Sequence, residues 1–599
     1  MNALICLSLL GYCFALTRFS KWPIAFSPFF IISCVITLLY FFAYIHCLKA
    51  GTDGIFFSGL ILLILSPSYL KNKLFEKYFT PSLIISILFL TIFLTLAYHQ
   101  CFSKWDEFTQ WGPHSKLLFL TNRLITQSDF TIHQSYPPGG ALFQYLFFTF
   151  SHYAEGTAYV AQCLLILAPF SIFISQCNWK NWEQALIIYA LILLILLILH
   201  IQVGVNNSLY MDAPVAIFFG MSIVAYLNSQ KNISHILYLI PMMAALVLFK
   251  QKLMPFVLLI SLIILVDQIV FYKKKNIVFR IISVSFLPIT AYIITESWHI
   301  YLFKMHIPIE WKMNFLISHS TAKIIAENYL LALKPVFLFI ALMIALNLVS
   351  YVLEKNKTEK QKIIIVNSIL CIGMIAYITG LLMLYLFAFD PHEAIRHASM
   401  HRYMRIDEVA WVLVSLYFLF QATHQLRLIK YKILCIIFLI FSYFLLFSLA
   451  LRHQNKNIHH TRQAIAQIAK AVKKIASKNT KIFIVWQDST GFERAILMYD
   501  LIPLTTNSGC TSFGKPYVKA DIWTCFVSPK VLLQKFSGYQ YVLLAYTDHN
   551  FWKQYQSVLP HKNKLNPLIS YSICKRKNFN TFGQVGCQIK IEKAYLLKM

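Results

Sequence analysis

The sequence predicts an α-helical polytopic membrane protein with about 14 transmembrane helices and a C-terminal soluble α/β domain. Three observations predict it. Hydrophobic residues make up 58% of the 599-residue chain, while Asp, Glu, Lys and Arg together make up 13%, about half the charged share of soluble proteins. Apolar stretches long enough to cross a hydrocarbon core of about 30 Å recur from the N-terminus to residue 451. Beyond residue 452 that pattern gives way to short strand and helix signals separated by polar turns. A soluble chain of this length would need charged surfaces on several domains, and there is too little polar material to cover them. Disorder, a collagen-like fibre and a small disulfide scaffold fall to the same balance. The formal charge is 53 Lys and Arg minus 24 Asp and Glu, or +29. Such an excess suits nucleic acid or anionic lipid, and the apolar composition selects lipid.

The membrane domain spans 1–451. Its apolar candidates lie at 3–20, 24–45, 54–69, 81–98, 137–153, 157–177, 185–203, 209–228, 234–249, 253–272, 281–300, 331–352, 363–388, 407–422 and 433–451. The first lacks a basic leading region and its positive charges, Arg18 and Lys21, follow it, so it reads as a retained helix. Short basic loops prefer the cytoplasm: Lys71/Lys73/Lys77, Lys273/Lys274/Lys275/Arg280, Lys355/Lys357/Lys360/Lys362 and Arg427/Lys430/Lys432. Placing all four inside puts 99–136, 301–330, 389–406 and everything after 452 outside, with both termini outside. Six apolar candidates separate residues 136 and 273, but the alternation needs an odd number of crossings. One segment, expected between 137 and 203, is therefore re-entrant, interfacial or buried.

The domain spanning 452–599 shows an amphipathic helical pattern over 461–477 and a buried-strand pattern over Lys481–Trp486. A helix follows over 491–501, then a strand over Tyr541–Tyr546 with helical pattern on either side. Alternating strands and helices predict a small α/β or α+β domain. Four of the 13 cysteines fall here, Cys510, Cys525, Cys574 and Cys587. Two disulfides, paired as sequence neighbours, are expected in an exported domain, against four buried thiols. No CxxC spacing suggests a metal.

The first large outer loop reads Lys104-Trp-Asp-Glu-Phe-Thr-Gln-Trp-Gly-Pro-His114. Asp106 and Glu107 stand among Trp105, Phe108 and Trp111. As local structure this is an aromatic belt with two solvated acids. As chemistry, a carboxylate beside a membrane face suits general-base work, and paired acids suit a divalent cation. Ser135-Tyr-Pro-Pro-Gly-Gly140 follows, with Tyr136 ahead of two prolines that impose an extended lead-in and two glycines that admit close backbone approach.

An acidic pair in the first extracytoplasmic loop, a Trp just after it and a Tyr-Pro-Pro lead-in to the next helix resemble the polytopic glycosyltransferases of the GT-C superfamily. That superfamily includes protein O-mannosyltransferases and the aminoarabinose transferases of bacterial envelope glycolipids. The resemblance covers the order of elements over 80–451 and the outer C-terminal domain. It implies a polyprenyl-phosphate-linked sugar as donor and an acid of the first loop as catalytic base. Asp106 or Glu107 holds that position here, with Asp106 preferred. It implies no certain cofactor and leaves room for a divalent cation, Mg or Mn. No metal ligands are assigned.

Other residues suit the same chemistry. Tyr210-Met-Asp212-Ala-Pro214 is similar to a second acidic position of these transferases, and as plain structure is a helix start. Lys250 and Lys252 interrupt apolar sequence where no cytoplasmic loop is expected, as phosphate ligands or as snorkelling side chains. The segment 390–405 carries Arg396, His397, His401, Arg402, Tyr403 and Arg405 on the outer side, against the positive-inside preference. Such a cluster binds a carrier phosphate or anchors lipid headgroups. Trp111 and Tyr136 are expected to line the substrate site. Glu296, His299, His306, Glu310 and Trp311 are further candidates for its wall.

The function expected is transfer of a sugar from a polyprenyl-phosphate donor to an extracytoplasmic glycolipid, polysaccharide or protein acceptor, with inversion, in the bacterial cytoplasmic membrane. The C-terminal domain is expected to guide the acceptor or cover the site. A lipid-linked glycan polymerase or ligase would instead place catalysis in the 389–405 cluster. A glycolipid flippase or transporter would show internal repeats, and none is evident. Walker A, GxSxG, HExxH and GxGxxG motifs are absent from the sequence, and the aromatics lie within spanning segments rather than on a nucleic-acid surface.

Overall fold

The computed structural model describes residues 1–598 except 21, 70–77, 130, 199–207, 230–232, 273–276, 311–312, 314, 425–455, 478–479, 518–520, 522, 561–564 and 577–586. The chain forms two compact units, Met1–Gln100 with Ser135–Leu449, and Cys101–Gln134 with Ala450–Met599. The first outer loop thus belongs with the C-terminal residues, a grouping that two consecutive blocks of sequence do not foresee.

The first unit is helical. Among the described residues ten helices are long and apolar enough to cross a membrane: Asn2–Phe19, Ile24–Tyr44, Leu48–Ser66, Pro81–Tyr98, Glu155–Ile174, Met254–Phe271, Ile277–Lys304, His319–Leu353, Lys357–Phe387 and Met400–Thr423. The expected count of about 14 is not confirmed among these residues. Hydropathy registers an apolar run but not where its helix stops, and several runs form shorter helices, Gly139–Ser151, Asp212–Asn228 and Ile240–Val247. At 1.5 Å per residue, the 13 residues of Gly139–Ser151 reach only about 20 Å, and Gly139 through Phe148 are buried by protein. The expected span at 433–451 and the basic groups at 71–77, 273–275 and 427–432 lie outside the described residues.

Close backbone packing places the ends of these short helices. Gly139 donates its N–H to the Leu248 carbonyl at 2.7 Å, and a Cβ at residue 139 would stand 2.6 Å from that same oxygen. Only glycine therefore lets the Pro-Pro-Gly-Gly lead-in rest on the break that follows Ile240–Val247. Gln251 fastens the break a second time, donating from Nε2 to the Ser135 carbonyl and to Ser135 Oγ, both at 2.8 Å. Trp298 Nε1 donates to the same carbonyl at 2.8 Å. Gly139→Val is expected to lower the thermal midpoint in detergent, since forcing a side chain into this contact costs about 1–3 kcal/mol. Gly54→Ala, whose Cβ would meet no atom within 4 Å, serves as the control and should leave the midpoint near wild type.

Among its described residues the second unit holds seven strands, β1 (Lys481–Trp486), β2 (Thr505–Thr506), β3 (Ser512–Phe513), β4 (Thr524–Cys525), β5 (Tyr541–Tyr546), β6 (Ile569–Arg576) and β7 (Cys587–Lys598). Five form a sheet in the order β2-β1-β5-β7-β6, and β3 pairs with β4. β1 runs parallel to β2 and β5, whereas β7 runs antiparallel to β5 and β6. The two strands expected from sequence are the central parallel pair, buried along nearly their whole length. That burial on both faces is why they read as unbroken apolar runs. Phe483, Val485, Val542 and Leu544 meet Leu532, Phe536, Phe551 and Tyr555 in one core. The expected amphipathic helix is Lys456–Ile475; it buries Ala464, Ile465, Ile468, Ala469 and Val472, a stripe at helical spacing. Cys510 and Cys525 form the first expected disulfide. In the β6–β7 hairpin Cys574 faces Ile589 and Cys587 faces Arg576 across the ladder, and the side chains of that second pair lie outside the description.

Candidate functional site

Within the helical unit, three charged residues distant in sequence converge. Asp212 opens the helix Asp212–Asn228, Lys250 sits in the break before Met254–Phe271, and Arg402 lies in the first turn of Met400–His424. Lys250 Nζ donates to Asp212 Oδ1 at 2.7 Å, and Arg402 Nε stands 3.4 Å from Asp212 Oδ2. Their side chains are 14%, 27% and 11% exposed for Lys250, Arg402 and Asp212, so the charges interact with little solvent screening.

Packing explains the convergence. A Cβ at Gly220 would stand 2.9 Å from the Ala410 Cα, so the two helices touch backbone to backbone there. Gly220 is eight residues beyond Asp212, and Ala410 is eight beyond Arg402. The helices therefore run parallel in register, and about 12 Å from the contact both present their first turns to one place. The Pro-Pro-Gly-Gly lead-in brings Lys250 to the same place: Gly139 rests on Leu248 and Gly140 on Met211, the residue before Asp212.

Aromatic rings line the cluster. Lys250 Nζ is 4.4 Å from the Tyr403 ring centroid, and the Arg402 guanidinium is 4.5 Å from that of Tyr210 and 5.3 Å from that of Tyr403. Ring faces attract cations without neutralising them. The Tyr377 hydroxyl donates to the Tyr403 carbonyl at 3.1 Å and fixes that turn. Two cations and one carboxylate in contact leave one positive charge in excess, in a setting suited to an anion with several acceptor oxygens.

The remaining sequence-predicted residues divide. Among the described residues Asp212 ion-pairs with Lys250 and Arg402, not with Arg396, His397 or His401. Arg396 and His401 are exposed. His397 donates from Nε2 to the Ile325 carbonyl at 3.1 Å and packs on Tyr329 and Tyr385, which ties its turn to two neighbouring helices. Lys252 is exposed, with a left-handed φ of 62°. Tyr136 is buried beside Ser135. Glu296 and His299 form an exposed pair at 3.4 Å, the Glu310 N–H approaches Ser135 Oγ at 3.5 Å, His306 has a left-handed φ of 56°, and Trp311 lies outside the described residues. Sequence reasoning passed over Tyr377 and Asp407. Tyr377 stands in the middle of a 31-residue apolar helix with no local signal. Asp407 is 1% exposed, and no described residue hydrogen-bonds its carboxyl oxygens; its sequence neighbours Arg405 and Glu408 give no local signal of that burial.

In the second unit the acidic pair begins a π-turn, Glu107–Trp111, followed by the helix Gly112–Thr121. Pro113 has no N–H to give to a carbonyl one turn back, and the Gly112 N–H bonds the Glu107 carbonyl instead, the wide spacing of a π-turn. The two acids are not equivalent. Glu107 is fully buried, and its Oε2 accepts from the N–H groups of Ser103 and Lys104, both at 2.8 Å. Asp106 is half-buried, ahead of the turn. Trp111 is buried. The buried, backbone-engaged Glu107 carboxylate is a poor fit to a two-acid cation site, and among the described residues no three His, Cys, Asp or Glu side chains gather to hold a metal.

Burial perturbs other groups of this loop. Desolvation lowers the Lys104 ammonium, against the opposing pull of Glu107. His114, bonded through Nε2 to Thr131 Oγ1 at 3.2 Å, is pushed down to about 4, first by desolvation and then by His133. An unfolded chain protonates this imidazole below its ordinary value near 6.5, whereas the folded one resists until about pH 4. Stability of this unit is therefore expected to fall between those pH values. Thermal unfolding of the full chain should show a steeper acid loss for wild type than for His114→Gln.

No protein-family profile matches the chain, and no curated protein sequence matches it. Among solved structures, the chain is similar to ArnT from Cupriavidus metallidurans bound to undecaprenyl phosphate, with a TM-score of 0.46, and to the same protein in the apo state, with 0.47. In each case identity is 11%, and the match covers 81% of this chain and 96% of the other.

Proposed function

We propose that the protein is an integral membrane glycosyltransferase of GT-C type that uses a polyprenyl-phosphate-linked sugar. The observation that carries this reading is the convergence of Lys250 and Arg402 on Asp212 with a net positive charge in the helical unit. A phosphate group is the anion such a site suits. Its oxygens accept from an ammonium and a guanidinium together, and charge released onto a leaving phosphate is stabilised where water is scarce. The acceptor hydroxyl loses its proton to Asp106 as its oxygen attacks the anomeric carbon. The bond from that carbon to the phosphate oxygen breaks, the polyprenyl phosphate leaves as the anion, and a single displacement inverts the centre. Asp106 takes the base role on the resemblance of its loop, and because the Glu107 carboxylate is engaged with backbone N–H groups. The acceptor is a glycolipid, polysaccharide or protein of the cell envelope. The family resemblance supports a place in the bacterial cytoplasmic membrane, and the basic-loop alternation argues for the chemistry and the C-terminal domain on the outer side.

The test is binding and transfer of a labelled polyprenyl-phosphate sugar by the full chain in lipid nanodiscs. Lys250→Ala and Arg402→Ala should each weaken donor binding at least tenfold. Donor affinity equal to wild type in both variants would overturn the phosphate assignment. Loss of activity with Arg402→Ala alone, while Asp106→Asn stays active, would favour the polymerase or ligase chemistry.

A further inference from the structure

We infer that the C-terminal α/β elements act as a positioning module for the loop that bears Asp106, through a ring clamp on the preceding residue, Trp105. This rests on the base role proposed above and adds a role for the C-terminal domain other than covering the site or guiding the acceptor.

The clamp is built at Gly491. Trp105 stacks on Phe492, with centroids 5.9 Å apart and planes 23° from parallel, and lies 5.4 Å from Trp523. Two of these rings crowd Gly491, where a Cβ would stand 2.7 Å from Trp105 Cη2 and 3.0 Å from Trp523. Gly491 also has φ +82°, in the left-handed region that disfavours side chains. Further fastenings reach the same loop from other C-terminal elements. Arg462 donates from Nη1 to the Phe102 carbonyl at 3.0 Å and lies 5.1 Å from the Phe108 ring centroid. Lys116 Nζ donates to the Tyr499 carbonyl at 2.7 Å, and Phe108 meets Tyr499 edge-on at 5.5 Å.

These contacts are of two kinds. Phe102 and Phe108 are 1% exposed and belong to the core of the unit. Trp105, Phe492 and Trp523 are only partly buried, so their stacking adds little to folding and much to where the backbone at 105–106 stands. Asp106 is thereby held on both sides. The ring clamp fixes the residue before it, and the Glu107 carboxylate braces the backbone of Ser103 and Lys104. A base must be placed within about 0.5 Å to act, and a surface loop without such supports does not hold that tolerance.

The experiment compares Gly491→Ala, Trp523→Ala and Trp523→Phe in the full chain. Transfer kinetics, thermal midpoint and amide hydrogen exchange over 102–116 are measured together. The expected result is a fall in kcat of about 10- to 100-fold for Gly491→Ala and Trp523→Ala. KM for the donor should stay within twofold of wild type, exchange should quicken, and Trp523→Phe should recover most of the rate. Wild-type kcat in both disruptive variants would overturn the inference, as would a rate loss that merely tracks the fraction unfolded. If wild type transfers no sugar, the proposed function fails and the catalytic consequence with it. Exchange unchanged by Trp523→Ala would overturn the clamp itself.

Discussion

Asp106→Asn is expected to reduce sugar transfer by about 10²- to 10⁴-fold, the usual contribution of a positioned general base, with donor binding and thermal midpoint close to wild type. The amide keeps the shape and removes the proton acceptor. The half-buried side chain stands ahead of the π-turn rather than inside it. Glu107→Gln should behave in the opposite way. Its carboxylate is buried and accepts two backbone N–H groups, and hydrogen bonds to a charged group contribute about 1.5–3 kcal/mol each. A lowered midpoint with residual activity in the folded fraction is the expected outcome. Full transfer by both variants would end the general-base assignment. Loss of transfer by Glu107→Gln at an unchanged midpoint, with Asp106→Asn active, would exchange the two roles.

Asp212→Ala is expected to cost about 3–5 kcal/mol of stability, because it leaves Lys250 and Arg402 facing each other with their shared counter-ion gone. Both cations are largely covered, so solvent does little to relieve the repulsion. A phosphate-bearing ligand should then stabilise the variant more than it stabilises wild type. A ligand at 100 times its Kd adds about 2.7 kcal/mol. Thermal unfolding in nanodiscs, with and without polyprenyl phosphate, measures both effects. A midpoint within a degree of wild type would show that the cluster is not electrostatically coupled as its distances imply. Stabilisation by polyprenyl phosphate that survives Lys250→Ala and Arg402→Ala would place the phosphate elsewhere.

The site was legible in sequence where a residue broke a strong local expectation. Lys250 interrupts an apolar run, Asp212 opens a helix ahead of a proline, and Arg402 sits in a cationic stretch on the side where such stretches are disfavoured. Each is costly in its surroundings, and cost is visible one residue at a time. Sequence could not say which of the cations share an anion. Arg396, His397, His401 and Arg402 lie within seven positions, but only Arg402 turns toward Asp212, while His397 is committed to the Ile325 carbonyl. That choice depends on helical phase and on the Gly220–Ala410 contact, both long-range properties. Trp523 and Arg462 were passed over for a related reason, since their partners lie more than 300 residues earlier in the chain.

By itself, the sequence determined the solvent and the element types. Too few charges force the chain into lipid, and unbroken apolar runs at 481–486 and 541–546 become the central parallel strands because both faces are buried. It also singled out the acidic pair and the misplaced cations. The tertiary structure decided the helix lengths, the pairing of Lys250 and Arg402 with Asp212, the unequal burial of Asp106 and Glu107, and the union of the first loop with the C-terminal domain. Composition and periodicity are sums over neighbours in the chain, so they report what surrounds a segment on average. Ion pairs, close glycine contacts and ring stacks depend on distances of a few ångströms between residues far apart in sequence, which only the packed backbone sets.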